Sequence, residues 1–373
     1  MSMKQCPYKM ESFQKIWGKT SVSMKIYIPV AALVVILMGY WWLWHQSADQ
    51  VREEVTEWVA EEREAGRTAD YDSFTVRGFP YRMQINFENV HLGDPEAGWN
   101  WQVDELTGFV LPYRLTHVVL VATGDQRLEF MRLERREVVE GLADNMRASI
   151  VLNARGDLER FGLEISTLAF NRNIFFDNGG LDRNEDISVD SFQLNSRRIR
   201  DGDGLPNQGR HHAVMLQLAN MNWLNHPYEG LGPDISFVES RILMAGIPRT
   251  GLGSLSSEFL QEWDENEGVF FLDEAAIHWG EIDLAVNGVL ELDNRHRPEG
   301  EMTVLVGGHG RAIDALVAGG AMESQYADLA KTVLDVIAAI GGDPQGRIRA
   351  PIRLEGGAVH LGPAELMDLE PLY

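Results

Sequence analysis

Hydrophobic and polar positions along this chain change their period twice. From Ile26 to Trp44 (IYIPVAALVVILMGYWWLW) the sequence has no polar face, with 19 residues and no charge. As a helix rising 1.5 Å per residue this segment spans about 28 Å, the thickness of a bilayer hydrocarbon core. From Ala48 to Ala65, Val51, Val55, Trp58 and Val59 recur at three- and four-residue spacing among acids, which predicts an amphipathic stalk helix over 45–66, stopped by Gly66. Beyond Gly66 the period becomes two. Tyr71–Val76 and Tyr81–Phe87 alternate apolar and polar residues, with Gly78-Phe79-Pro80 as the turn between them. Further alternating runs near 99–109, 115–122, 126–133, 161–170, 186–199, 212–219 and 235–245 predict strands, and after a short helix at 254–264 they resume at 269–279, 281–292 and 301–306.

Near the end the period returns to helical. Residues 312–318 and 323–340 place Leu316, Tyr326, Leu329, Val333, Leu334 and Ile337 on one face, before strands at 348–354 and 358–361. The fold class expected is therefore mainly β with some α: a transmembrane helix, a stalk helix, then a large curved antiparallel sheet with a C-terminal helical insertion. The organisation reads as a basic head (1–25), a membrane signal anchor (26–44), a stalk (45–66) and one continuous β-rich body (67–373).

Charge sharpens the topology. Residues 1–44 contain five lysines and the single acid Glu11, whereas residues 45–373 hold 28 basic and 55 acidic residues, a net charge of −27. Basic flanks stay in the cytoplasm, so the expected location is a bacterial inner membrane crossed once, with the N-terminus inside and the body in the periplasm. Tyr40, Trp41, Trp42 and Trp44 suit the outer headgroup layer, and Pro29 is expected in the first turn of the span. A cleaved signal peptide is the competing reading. Against it, the apolar run exceeds an h-region of about 7–15 residues and its exit carries bulky tryptophans in place of small residues. The lone Cys6 lies in the head, so no disulfide staples the exported body. A body this acidic excludes nucleic acid as a partner, and it suggests a domain standing off the bilayer on its stalk.

Candidate chemistry is sparse. His211-His212 are strand neighbours that point apart, read as surface histidines and not as a metal pair. Asp182-Arg-Asn184-Glu-Asp186 opens like a calcium loop but has Ile187 and Gln193 where that loop needs Gly and Glu, so it reads as a metal-free acidic loop. Asp201-Gly-Asp203-Gly204 reads as a solvated turn. Gly307-Gly308-His309-Gly310-Arg311 lacks the Lys-Ser/Thr of a phosphate loop and reads as a strand-to-helix turn. No serine-hydrolase elbow occurs. No catalytic, metal or cofactor residue is expected. What remains is architectural. A curled sheet could line a groove for acyl chains with alternating residues such as Ile85, Phe87, Phe270 and Leu272, or the same residues could pack beneath the C-terminal helices.

The tract Trp58–Arg67, then Tyr71-Asp-Ser-Phe74 and the turn Gly78-Phe79-Pro80-Tyr81-Arg82, resembles the start of the bacterial family called domain of unknown function 2125 (DUF2125). Trp99-Asn-Trp101, Ile277-His-Trp279-Gly280, Pro298–Met302 and Gly356–Pro363 fit the same family, so the resemblance covers about residues 45–373. That family brings no established activity and no catalytic residues. Its pattern is similar to AsmA-like envelope proteins, which implies an anchored sheet with a lipid-accommodating groove, although this chain is much shorter than the members that bridge two membranes. The expectation is a non-enzymatic envelope protein that binds or hands on phospholipid. The alternatives are a scaffold for an envelope protein partner and a hydrolase whose site the spacing hides.

Overall fold

The computed structural model describes residues 22–132, 135–176, 179–199, 205, 209–228, 230–248, 257–320, 322–340, 347–362 and 364–372. Helix α1 (Val22–Glu64) is followed by β1 (Thr68–Asp70), β2 (Ser73–Arg77), β3 (Met83–Asp94), β4 (Trp99–Leu111), β5 (Arg114–Arg132), β6 (Arg135–Leu152), β7 (Leu158–Phe175), β8 (Leu181–Ile199), β9 (Arg210–Leu224) and β10 (Asp234–Ile247). Helix α2 (Ser257–Glu265) precedes β11 (Val269–Trp279), β12 (Ile282–Leu292) and β13 (Pro298–Gly307). Helices α3 (His309–Ala318) and α4 (Ser324–Ile340) then interrupt the sheet before β14 (Ile348–Glu355), β15 (Ala358–Leu361) and β16 (Ala364–Asp368).

The strands form one antiparallel sheet in the order β1-β3-β4 and onward without a crossover to β16, with β2 also paired to β3. A pure meander has no second layer to close over it. The chain accordingly exposes 24210 Å², against about 15,000 Å² for a compact monomer of this size.

The expected membrane helix and stalk are one continuous helix. Pro29 therefore lies inside α1 and not in its first turn. The helix ends at Gly66, whose φ of 79° is the left-handed conformation glycine adopts without a side-chain clash. Its buried face runs through Trp44, Ala48 and Val59, with Val51 half-buried, while Trp58 faces solvent. The segment beyond the span is thus docked along the first strands and is not a free spacer.

A line of positions left out of the pairing crosses the sheet, with the register shifting along it between β4 and β5 and between β5 and β6. The pairing steps over Asn89 opposite Asp104, over Gly124, over Asp144 opposite Thr167, and over Asp190 opposite Asn220. In alternate strands the skipped residue has positive φ: Asn89 at 51°, Gly124 at 87°, Thr167 at 54° and Asn220 at 50°. Polar side chains stitch the line, as where Asn220 donates to Asp190 at 2.9 Å and the amide of Asp125 donates to Asp104 at 2.9 Å. Only glycine fits at 124, because a Cβ there would lie 2.6 Å from Asp104 Oδ2. The skipped position changes the apolar spacing from two to three while keeping the face. Phe87 and Val90 pack in one cluster across it. This crease bends the sheet and increases its twist.

Three helical elements cover the sheet at particular places. Trp44 and Ala48 of α1 lie on Val76, Met83, Ile85 and Val110. Phe259 and Trp263 of α2 lie on Ile247 and Met244. Ile313 of α3 and Ala327, Ala330 and Leu334 of α4 lie on Val306, Ile348 and Ala350. Of the face expected for the C-terminal helices, Val333, Leu334 and Ile337 pack as expected, whereas Leu316 and Leu329 are exposed and Ile313, Ala327 and Ala330 take the buried positions.

Candidate functional site: an apolar stripe across the sheet

The register assembles side chains that are far apart in sequence into transverse rows, because directly paired residues share a face. One row consists of Phe87, Leu106, Ala122, Met146, Ile165, Phe192, Leu218, Val238, Ile277, Leu284, Val306 and Ile348, each paired to the next on strands β3 to β14, without a polar member. The next row on the same face begins at Ile85 and passes through Leu120, Leu163, Leu194 and Leu216, with Ser240 its one polar residue. A third begins at Met83 and passes through Val110, Val118, Ile150, Phe161, Val214, Ile242 and Leu272, interrupted by Ser196. At about 4.8 Å between strands and about 6.8 Å between rows, this stripe is about 53 Å long and about 14 Å wide. On the opposite face the corresponding positions are Arg147, Glu164, Gln193, Gln217 and Glu239.

The two ends of the stripe are roofed and its middle is not. Met83, Ile85 and Val110 are buried under α1, and Val306, Ile348 and Ala350 under α3 and α4. Phe161, Leu163, Phe192, Leu194, Val214, Leu216 and Leu218 on β7 to β9 remain half-buried. Of the four residues expected to line a groove, all stand on this face. Ile85 and Phe270 pack in the clusters at α1 and α2, Phe87 stacks on Phe74 at 5.6 Å, and Leu272 is half-buried among the open positions.

A cleft of about 1330 Å³ crosses β5 to β12, and its lining includes Phe161, Val214, Ile242 and Leu272 of the third row. It also takes Ser149 and Val151 from the alternate positions of β6. It mixes Leu243 and Phe271 with Arg160, Arg197, Asn195 and Asp273. The stripe is the more uniformly apolar surface.

Several buried polar groups are engaged in structural contacts. Beyond the crease, fully buried Glu185 accepts from Arg172 at 3.1 Å, Arg183 at 3.3 Å and the Trp223 indole at 3.0 Å, and Arg172 also reaches Glu137 at 2.7 Å. Two carboxylates and two guanidinium groups compensate one another there. Arg183, Asn184 and Glu185 lie within strand β8, so the expected acidic loop at 182–186 is corrected to an extended edge-to-edge pairing with β7. His211 and His212 are likewise corrected from surface to interior. His211 accepts the Gly246 amide at 3.3 Å, and His212 sits 3.0 Å from the Ser196 hydroxyl. Burial holds the His212 pKa below its usual 6.5, with Arg198 and Arg210 pushing the same way. Gly308 makes the turn into α3 at φ 68°, where a Cβ would meet the Glu281 carbonyl oxygen at 2.6 Å, and His309 and Arg311 pair with Asp335 and Glu281. Residues 201–204 lie outside the described residues. Among the described residues no group of three His, Cys, Asp or Glu side chains converges as a metal site.

The turn at residues 78–82 meets the C-terminal end of the apolar segment of α1. The Tyr40 hydroxyl donates to the Pro80 carbonyl, the Trp44 indole reaches the Arg82 carbonyl at 3.4 Å, and the Phe79 ring lies 5.7 Å from Trp44. The Phe79–Pro80 peptide is cis. A Cβ at Gly78, φ 107°, would lie 2.6 Å from the Arg82 carbonyl oxygen. The five residues of the family-like turn thus form the joint between helix and sheet.

The fold is that of an open antiparallel meander bearing an N-terminal helix long and apolar enough to cross a membrane, compatible with an anchor or a signal sequence. The chain belongs to the family described as an uncharacterized protein conserved in bacteria (DUF2125), whose sequence profile matches residues 44–370. No curated protein matches it.

Proposed function

We propose that this is a bacterial inner-membrane protein with its N-terminus inside and its body in the periplasm, and that it holds phospholipid acyl chains on the stripe without chemistry of its own. The observation that carries the reading is the unroofed middle of the stripe. Between β6 and β11 it offers about 24 Å of apolar surface, more than the ~15 Å half-thickness of a bilayer core. Each methylene sheltered there is worth about 0.8 kcal/mol. Leu194 and Leu216, paired at its centre, have no structural reason to be leucine on an open sheet face other than to meet something apolar.

The test is photo-crosslinking of the full chain in vesicles containing a phospholipid with a diazirine in its acyl chain. Adducts are expected on Phe161 to Leu218 as well as on α1, and the double variant Leu194→Gln, Leu216→Gln should lose the former and keep the latter. Adducts confined to residues 26–44 would sink the proposal.

A further inference from the structure

The end of the sheet beside the helix has a composition unlike the rest of the body. No acid occurs in 73–87 or 106–124, in a body of net charge −27, yet these segments carry Arg77, Arg82 and Arg114. None of the three forms a salt bridge among the described residues, and all three are exposed. Pairing of Met83 with Val110 and of Val110 with Val118 brings the turns at 78–82 and 112–115 to the same end. Both turns present large apolar or aromatic side chains to solvent: Tyr81 is 82% and Tyr113 78% exposed, with Phe79 and Leu115 also exposed. The depth is set by α1. Phe79 and Pro80 contact Tyr40, four residues and so about 6 Å inside the outer end of the apolar run.

We propose that this end of the sheet is a foot seated in the headgroup layer of the bilayer that holds α1. Phe79, Tyr81, Tyr113 and Leu115 enter the interface, and Arg77, Arg82 and Arg114 meet the phosphates of anionic phospholipid. Aromatic rings and arginines are the side chains that this layer accommodates. Successive strands rotate by about 20–25°, so by β7 the sheet has turned roughly a right angle from β3 and its later turns leave the surface. The inference rests on α1 remaining as an anchor.

The test uses the full chain with Cys6→Ser, spin-labelled singly at Tyr81→Cys, Tyr113→Cys, Leu37→Cys or Glu96→Cys, in vesicles of phosphatidylethanolamine and phosphatidylglycerol. Accessibility to oxygen against a nickel chelate reports depth. Labels at 81 and 113 are expected to favour oxygen, between the acyl reading at 37 and the aqueous reading at 96. Water-like readings at 81 and 113 with an acyl reading at 37 would overturn the foot alone, whereas water at all of them would overturn the anchor beneath it. With Arg77→Gln, Arg82→Gln and Arg114→Gln combined, labels 81 and 113 should become shallower in these vesicles and shift little in phosphatidylcholine. An equal depth in both lipids, with and without the arginines, would remove phosphate contact from the proposal.

Discussion

The roofed ends of the sheet and its open middle use the same residue types on the same face, yet they are held by different means. At the first strands, Met83 is fully buried because Trp44 and Ala48 descend on it from α1, and at the last strands α4 does the same for Ile348 and Ala350. Between them Leu194, Leu216 and Val214 are only half-buried. There the strands are joined instead by their hydrogen-bonded ladders and, beyond the crease, by the ion network around Glu185. A helix can be laid over a sheet only where an excursion of the chain supplies one. Here the excursions fall at the beginning, between β10 and β11, and between β13 and β14. The unexcused apolar surface is what remains.

That contrast can be broken most severely at the network. Glu185→Ala should leave Arg183 and the Trp223 indole without their carboxylate, with Arg172 keeping only Glu137, and cost about 4 kcal/mol, read as a lowered urea midpoint of the full chain in detergent; a midpoint within error of the parent would show that the middle does not depend on this clamp. At the roofed end, Met83→Ala should cost about 3 kcal/mol, whereas Leu216→Ala in the open middle should cost about 1 kcal/mol. Equal losses at the two positions would mean that the middle is roofed after all. Relief is expected at the crease. Thr167 is β-branched with φ 54°, so Thr167→Gly should gain about 1 kcal/mol if the bend is imposed by neighbouring strands, and lose stability if threonine itself makes it.

The smallest effects concern acid. His212 has a lowered pKa in the folded state, so the unfolded chain takes up more protons and stability should fall as pH drops below about 6.5. His212→Gln should flatten that slope. At the β12–β13 turn, Arg297 holds the Asp293 carboxyl down to about 2 from 3.8, through contacts of 2.6 and 2.9 Å. Its stabilisation is present above about pH 4 and is lost as pH falls towards 2, and Arg297→Gln should shrink that lower step, with the Arg295 and Arg297 amides keeping part of it. A pH profile unchanged in either variant would reassign the acid sensitivity elsewhere.

Much of this fold could be read locally, and the failures share a cause. The apolar helix, the period-two runs, the C-terminal helical insertion and the family turn all depend on neighbours in sequence. Strand β5 reads as two strands, 115–122 and 126–133, because Gly124 shifts its phase at the crease. Strand β6 escapes notice altogether: Asp144 breaks its phase, and Glu137, Glu140 and Arg147 serve a buried network and the polar face. The burial of His211 and His212 had no local signal, since their cover comes from Gly246 and Ser196 on other strands.

The sequence by itself determined the helix that can cross a bilayer, the antiparallel sheet and the absence of disulfides from its body, because hydropathy, period and cysteine count are local properties. Only the tertiary structure decided that Leu163, Leu194 and Leu216 stand side by side, and that the stripe is covered at its ends and open between them. Pairing register and the placement of covering helices are set by contacts between residues distant in the chain, which no local pattern records.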